Sequence, residues 1–313
     1  MQYSQRARLF DQIARVVFFL CAILLVVVII AVIGFISSKA FNVFFERGGT
    51  NLKTFFTIDK WDPTGVNDPT GNGTPTFGAF GLVLGSIVIT LGSMIIVTPL
   101  ALGTAIFFNE MAPRWLVSFL KPLIEIFTGV PSVVIGVLGL TVLVPFLTRI
   151  AGPITGNLPT GGYGWGAAIL VLIVMVLPTT VSVAIDALRA VPGSVREASL
   201  ALGSTRWQTM SKAIIPAAST GLGTAVVLGL ARAIGETLAV ALVLQGNSLP
   251  RKLLSLAAFF QPNVNITMVI ARDFGETSGV AQDAYWTLAF VLLVISFIFI
   301  CISRYLASRS VYK

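Results

Sequence analysis

Six long apolar runs constrain this chain more than any other feature, because each is long enough to cross a membrane. A helix needs about 20 mostly apolar residues to cross the hydrocarbon core of a bilayer. Only helices and closed barrels satisfy their backbone polar groups in lipid. The runs lie near Val16–Ile36, Phe80–Phe108, Ile126–Phe146, Trp165–Leu188, Ala217–Leu244 and Tyr285–Tyr305. We therefore predict an all-α, polytopic transmembrane helical bundle with about six spans.

The composition agrees with this prediction and excludes several functions. The chain is 56% hydrophobic and 11% charged, with a mean hydropathy of +0.91. It contains no histidine, which excludes histidine metal sites, Ser-His-Asp triads and histidine proton relays. Its two cysteines, Cys21 and Cys301, fall inside predicted spans and imply no disulfide framework. Because no P-loop motif is present, any ATP hydrolysis would belong to another chain, and we expect no catalytic residue and no cofactor.

The distribution of basic residues predicts the topology. With the N-terminus in the cytoplasm, the inner segments hold twelve lysines and arginines and the outer segments hold eight. Because basic residues are enriched in cytoplasmic loops, we expect a plasma-membrane protein with both termini on the cytoplasmic side. The net charge of +8 then reflects topology and contact with anionic lipid, with no nucleic-acid partner.

The N-terminal part separates from the rest of the chain. Its apolar run exceeds the usual 7–15 residues of a signal-peptide core, so we expect an uncleaved span, although Ser38-Lys39-Ala40 loosely fits a cleavage site. A polar segment rich in turn-forming residues follows, from about Ser37 to Thr76. We predict an N-terminal helix and extracytoplasmic loop over residues 1–76, beside a permease domain over residues 77–313.

Arg232 and Glu236 lie inside the fifth apolar run. A charge near the bilayer centre costs about 2.5 kcal/mol or more, so such residues usually face a bundle interior or a water path. On a continuous helix, the i, i+4 spacing brings the two side chains together. The pair is either a structural ion pair or a charged element on a solute path, and we favour the path.

Three further residues are candidates for the same path. Thr237 and Ser132 offer hydroxyl donors. Glu125 lies at or just inside the start of the predicted third span, where it is either an interfacial acid in water or a path residue. The predicted path residues are therefore Arg232, Glu236, Thr237, Glu125 and Ser132.

The loop over residues 189–216 predicts a compact pair of short helices. Ser194 can cap a first helix, with Glu197 at the capping-box position. Gly203 supplies a stop, and a second helix leads from Thr205 to Pro216. Four apolar anchors accompany these helices: Val195, Leu200, Leu202 and Trp207. The loop is either a solvated connector or a knob that docks into a soluble partner, and its apolar anchors favour docking.

The same loop resembles a known pattern. Glu197-Ala198, Gly203 and Ile215-Pro216 are similar to the E-A-A, G, L-P loop of ABC importer permeases. Ser199 and Ala213 depart from that pattern. The resemblance implies a type I ABC importer permease fold, in which this loop is the short cytoplasmic coupling helix that inserts into the ATP-binding subunit. By this resemblance, the residues of the ATPase-coupling loop are Arg196, Glu197, Ala198, Gly203, Trp207 and Pro216.

A closer resemblance is to the phosphate importer permeases. The similar stretches are Gly129–Gly136, Arg189–Pro192, Ala201–Trp207 and Gly229–Thr237, with Ala231 in place of a common glycine. Trp61-Asp62-Pro63 favours the PstC type over the PstA type. The resemblance implies a second homologous (PstA-like) permease, an ATP-binding (PstB-like) dimer and an extracytoplasmic phosphate-binding (PstS-like) protein. A sulfate or molybdate importer, a secondary transporter or channel that works alone, and a non-transporting scaffold remain alternatives.

Overall fold

The computed structural model describes residues 5–45, 50–66, 72–156, 161–247, 249 and 256–309. The polar segment after the first apolar run and the loop between the fifth and sixth runs each lie partly outside these ranges. In chain order the helices are α1 (Gln5–Ala40), α2 (Asn42–Phe45), α3 (Leu52–Thr57), α4 (Phe80–Glu110), α5 (Arg114–Gly129), α6 (Ser132–Leu138), α7 (Val144–Thr155), α8 (Trp165–Arg189), α9 (Gly193–Ala201), α10 (Arg206–Thr209), α11 (Ile215–Gly235), α12 (Leu238–Leu244), α13 (Ile266–Asp273) and α14 (Val280–Arg309). Two π-helical turns, Gly139–Leu143 and Met210–Ile214, extend α6 into α7 and α10 into α11.

Six helical segments in the described ranges are long and apolar enough to cross a membrane. They are Phe10–Phe45, Phe80–Glu110, Ser132–Ile154, Trp165–Arg189, Arg206–Gly235 and Val280–Tyr305. The predicted number of spans is confirmed. The third begins at Ser132 rather than near Ile126, because Val130 and Pro131 are extended and end the preceding helix.

The bundle is built around α4, α8 and α11. Trp165 lies beside Gly85 and Ile169 beside Gly92, so α4 and α8 run in the same direction. Near the other end of α8, Ala187 lies against Gly221 of α11, which therefore runs the opposite way. Small residues at such crossings allow close helix packing in membranes.

The N-terminal helix packs at the edge of this bundle. Phe35 of α1 makes an edge-to-face contact with Trp286 of α14, and the Thr287 hydroxyl donates to the Ala40 carbonyl oxygen at 2.8 Å. The most apolar part of α1 is exposed along its whole length. This exposure is typical of a helix that faces lipid.

A small aromatic layer closes the end of the bundle where α1 finishes and α4 begins. Strands β1 (Trp61–Asp62) and β2 (Thr76–Phe77) pair antiparallel, with Trp61 opposite Phe77. Trp61 also contacts Phe55 and Tyr285 through ring edges. Helix α13 lies in the loop between the fifth and sixth spans, and the Asn265 side chain caps its start by accepting from the Met268 amide at 2.8 Å.

Candidate functional site

The fifth span is broken where the sequence predicts a continuous helix. Helix α11 ends at Gly235, and Glu236 has extended dihedral angles, with φ −74° and ψ 127°. Helix α12 starts only at Leu238. The prediction that Arg232 and Glu236 share one helical face is therefore wrong. Gly235 is a poor interior helix residue, and once Glu236 leaves the helix the i, i+4 relation no longer applies.

Arg232 has a partner that the sequence analysis did not identify. Its Nη1 donates to the Thr179 hydroxyl of α8 at 3.0 Å, and its side chain is half-buried. No ion pair joins Arg232 to Glu236 in the described part of the chain. At about 1.5 Å per residue, Thr179 lies about 21 Å from one end of α8 and about 15 Å from the other. The guanidinium therefore lies near the midpoint of α8 along the length of the bundle.

Glu236 faces a different space from Arg232. It lines a cavity of about 10 Å³, a volume that holds about one water molecule. The polar residues that share this cavity are Ser86, Thr90, Asn265 and Thr267. The break after α11 thus separates the acid from the arginine and places the acid between α4 and α13.

The other predicted path residues are more widely distributed. The Thr237 hydroxyl donates to the Gly235 carbonyl oxygen at 3.3 Å, beside the helix break. Ser132 is half-buried at the start of α6. Glu125 lies on α5, not at the start of the third span, and pairs with Lys121 at 3.7 Å with 55% of its side chain exposed. Neither Ser132 nor Glu125 bonds to Arg232 within the described ranges.

A close helix crossing holds Arg232 at this depth. A Cβ atom added at Gly229 of α11 would lie 2.4 Å from the Thr180 hydroxyl oxygen and 3.3 Å from Val176 Cγ1, both on α8. Only glycine permits the two backbones to approach so closely without displacing these side chains. Arg232 follows Gly229 by one helical turn, so the crossing brings its guanidinium to Thr179.

Gly229→Ala is expected to lower the melting temperature of the purified protein, because overpacking a tight contact costs about 1–3 kcal/mol. Thermal unfolding in detergent measures the change. Gly103→Ala on α4 is the matched control, since nothing lies within 4 Å of a Cβ atom added there. Equal melting temperatures for the two variants would contradict the packing role of Gly229.

The predicted pair of short helices forms a knob, here defined as residues 193–209. Gly203 has a left-handed φ of +80° and makes the turn between α9 and α10, as predicted. The predicted Ser194 cap is wrong, because α9 begins at Gly193 and Pro192 occupies the N-cap. Proline fits that position because its fixed φ suits the residue before a helix. The capping box belongs to α10, where Thr205 and Gln208 bond reciprocally.

The knob carries an exposed apolar surface. Leu202 is 89% exposed and Trp207 63% exposed, while Leu200 is 43% exposed and Val195 is half-buried. Glu197 and Ala198 are exposed on α9, and Pro216 is half-buried in the first turn of α11. Large apolar side chains on a polar protrusion are typical of a protein docking site.

Hydroxyl groups stiffen the interior of the knob. The Ser199 and Ser204 hydroxyl oxygens are 2.9 Å apart, and Ser199 donates to the Thr209 hydroxyl at 3.1 Å. Ser204 also donates to the Ser199 carbonyl oxygen. Ser199 departs from the loop pattern of ABC importer permeases. In this chain it links α9 to α10, a role that alanine cannot provide.

Arg196 points from the knob toward the bundle. Its guanidinium forms a bidentate pair with Glu110 at the end of α4, with Arg196 Nη1 donating to Glu110 Oε2 at 2.8 Å. The Glu110 side chain is only 12% exposed. Bidentate arginine–carboxylate pairs are among the stronger hydrogen-bonded contacts in proteins. Arg196 thus joins α9 to α4.

Glu110→Ala is expected to raise the amide hydrogen-exchange rates of α9 about tenfold, because it removes the bidentate anchor. The charge-swapped protein, with Glu110→Arg and Arg196→Glu, should return these rates toward wild type. Exchange followed by mass spectrometry measures both effects. Unchanged rates in Glu110→Ala would show that the pair does not hold the knob.

A cleft of about 710 Å³ opens at the end of the bundle opposite the knob. Arg272 bonds both oxygens of Asp273, at 2.6 and 3.0 Å, and the Asn247 side chain at 2.9 Å. The hydrogen bond to Asp273 raises the pKa of Arg272 above its ordinary value. Partial burial raises the pKa of Asp59, and a backbone hydrogen bond at Leu249 opposes this. The sequence analysis missed this cleft because distant segments form its walls.

Membrane-length helices, a guanidinium at mid-depth and an exposed knob define a multi-pass membrane protein with a charged group inside its bundle. The chain belongs to the family described as binding-protein-dependent transport system inner membrane component, which matches residues 98–312. This family and the helices together confirm that the chain is a membrane transport component.

Relatives and solved structures agree with this assignment. The chain is 39% identical over 311 residues to the probable ABC transporter permease protein YqgH of Bacillus subtilis, covering 98% of this chain and 94% of that protein. It is 33% identical over 311 residues to the phosphate transport system permease protein PstC of Xylella fastidiosa strain Temecula1, covering 95% and 92%.

Two solved ABC transporters share the fold. A bacterial ABC transporter that imports alginate matches with a TM-score of 0.60 and 14% identity, over 96% of this chain and 99% of that chain. The inward-facing MetNI methionine transporter matches with a TM-score of 0.56 and 18% identity, over 74% and 97%. The predicted ABC importer permease fold is confirmed.

Proposed function

We propose that this chain is the membrane permease subunit of an ATP-driven importer that moves inorganic phosphate across the cytoplasmic membrane. The observation that carries the proposal is the half-buried guanidinium of Arg232, held near the middle of the bundle by one neutral hydroxyl. A permanent planar cation matches the oxygens of phosphate and can bind two of them at once. The similarity to PstC proteins supports phosphate as the substrate.

Arg232 is the central element of the proposed path. Most of its N–H donors have no protein acceptor among the described residues, so they can bind a passing oxyanion. Thr237, at the helix break, would line the path near Arg232, and Glu236 would border the path from its own small cavity. Ser132 and Glu125 would line it at the α5–α6 junction. Glu236 would moderate the attraction for phosphate by its charge, without clamping the arginine.

The knob is the proposed docking surface for an ATP-binding subunit dimer. Exposed Leu202 and Trp207 would enter a groove of that subunit, as amphipathic helices do in helix-in-groove recognition. ATP binding would then push α9, and the Arg196–Glu110 pair would transmit the movement to α4. ATP hydrolysis would take place on the separate subunit.

The membrane topology and the remaining partners are further parts of the proposal. The knob and both termini would be cytoplasmic, consistent with the excess of basic residues on that side. The cleft beside Arg272 would face outward and meet an extracytoplasmic phosphate-binding protein. A second, PstA-like permease would complete the path, and residues 1–76 would form an addition beside the permease domain of residues 77–313.

Uptake by the reconstituted complex tests the proposal. We expect phosphate uptake that requires ATP, the ATPase and the binding protein. Competition with sulfate and molybdate separates phosphate import from import of another oxyanion. Flux driven by an ion gradient without any ATPase would instead indicate a secondary transporter.

A further inference from the structure

Thr179 is the hydrogen-bond acceptor that the described part of the chain offers to Arg232. The Oγ1 atom of Thr179 lies 3.0 Å from Nη1, and the contact is partly buried. Glu236, which the sequence pairs with the arginine, faces the small cavity beside α4. The orientation of the guanidinium therefore depends on a hydroxyl of another span.

The neighbouring Thr180 has a different role. Consecutive residues of a helix point about 100° apart, so the two hydroxyls face different neighbours. The Thr180 hydroxyl donates to the Val176 carbonyl oxygen at 3.0 Å and packs against Gly229. Thr180 is fully buried and Thr179 half-buried. Thr180 thus sets the distance between α8 and α11, and Thr179 accepts the hydrogen bond from Arg232.

A threonine suits this contact better than an acid would. The hydroxyl oxygen accepts one hydrogen bond without neutralising the guanidinium, whereas a carboxylate would take two donors and cancel its charge. The branched side chain also restricts χ1, so the oxygen is held in a defined direction. The arginine keeps its full charge and most of its donors for an anion.

We propose that Thr179 is a positioning residue that orients Arg232 toward the solute. The proposal rests on the function proposed above, in which Arg232 binds phosphate during import. Thr179 itself need not touch phosphate. It acts by fixing one edge of the guanidinium so that the remaining N–H groups face the path.

The first test measures phosphate uptake by the complete complex in proteoliposomes. Thr179→Val removes the acceptor with little change in volume, and we expect kcat/KM for phosphate to fall about 10- to 100-fold, the loss typical of a hydrogen bond to a charged group. Thr179→Ser keeps the hydroxyl and should retain uptake within about threefold of wild type. Thr179→Ala also lacks the hydroxyl and replaces the valine variant if that variant fails to assemble.

Thr224→Val is the matched control, because it is the same substitution on α11, at an exposed threonine whose hydroxyl donates to the Thr220 carbonyl oxygen of its own helix, at 2.9 Å. It should leave kcat/KM within about threefold of wild type. Equal losses in Thr179→Val and Thr224→Val would show that the effect is not specific to the Arg232 contact and would overturn the proposal. Wild-type uptake in Thr179→Val would overturn it as well.

A second readout does not depend on the substrate. Phenylglyoxal modifies arginine side chains, and mass spectrometry of the purified complex gives the rate at Arg232. We expect a severalfold faster rate in Thr179→Val and a wild-type rate in Thr179→Ser. Equal rates in all variants would overturn the positioning role. Absence of phosphate uptake by the wild-type complex would instead overturn the proposed function, while the labelling rates would still decide the role of Thr179.

Discussion

Arg232→Ala is expected to abolish ATP-dependent phosphate uptake while the complex still assembles. The substitution removes the charge at mid-depth, and loss of a charge-assisted contact to an anion lowers uptake about 100-fold or more. Uptake of labelled phosphate by reconstituted complexes measures the loss. Arg232→Lys should recover only part of the activity, because lysine keeps the charge and lacks the planar fork.

Arg15→Ala is the control for this result. Arg15 is an exposed arginine that pairs with Asp11 at 3.4 Å in the N-terminal part of α1, far from α11 in the chain. Its loss should leave uptake at the wild-type level. Full uptake in Arg232→Ala, at wild-type amounts of each subunit, would remove Arg232 from the path.

Leu202→Asp combined with Trp207→Ala is expected to release the ATP-binding subunit. Each side chain is largely exposed in this chain and would be buried on docking, and a buried anchor contributes about 2 kcal/mol or more to binding. Losing both should weaken the association by at least about 100-fold. Co-purification of the ATPase with the tagged permease measures the effect.

Val66→Asp is the matched control, because Val66 is 81% exposed at the end of the bundle opposite the knob. ATPase recovery should be unchanged in that variant. Gly203→Val gives an independent test, since a β-branched residue is strained at φ +80° and would disturb the turn between α9 and α10. Normal ATPase binding by both knob variants would disprove the docking role.

Much of the fold follows from local patterns in the sequence. Apolar length alone predicts the six spans, since a bilayer demands about 20 apolar residues in a row. The left-handed turn at Gly203 and the short helix after Asn265 follow from glycine and cap chemistry. These features depend on a few neighbouring residues.

The contacts of the site depend on distant residues and were harder to predict. The helix break at Glu236 has only Gly235 as a local signal, and a single glycine is often tolerated within a helix. Thr179 comes 53 residues before Arg232, and Glu110 comes 86 residues before Arg196. The hydroxyl pair Thr179–Thr180, at the Gly229 crossing, becomes a signal only once α8 and α11 are known to cross there.

The break in the fifth span also gives its two halves different neighbours, although both halves pack on α8. Helix α11 packs on α8 through Gly229, whereas Gly136 of α6 receives α12 so closely that an added Cβ atom would lie 2.7 Å from Ala239 Cα. The residues between them, Glu236 and Thr237, belong to neither helix. Because the helical backbone stops at Gly235, we expect a displacement of α11 to shift Arg232 more than it shifts α12.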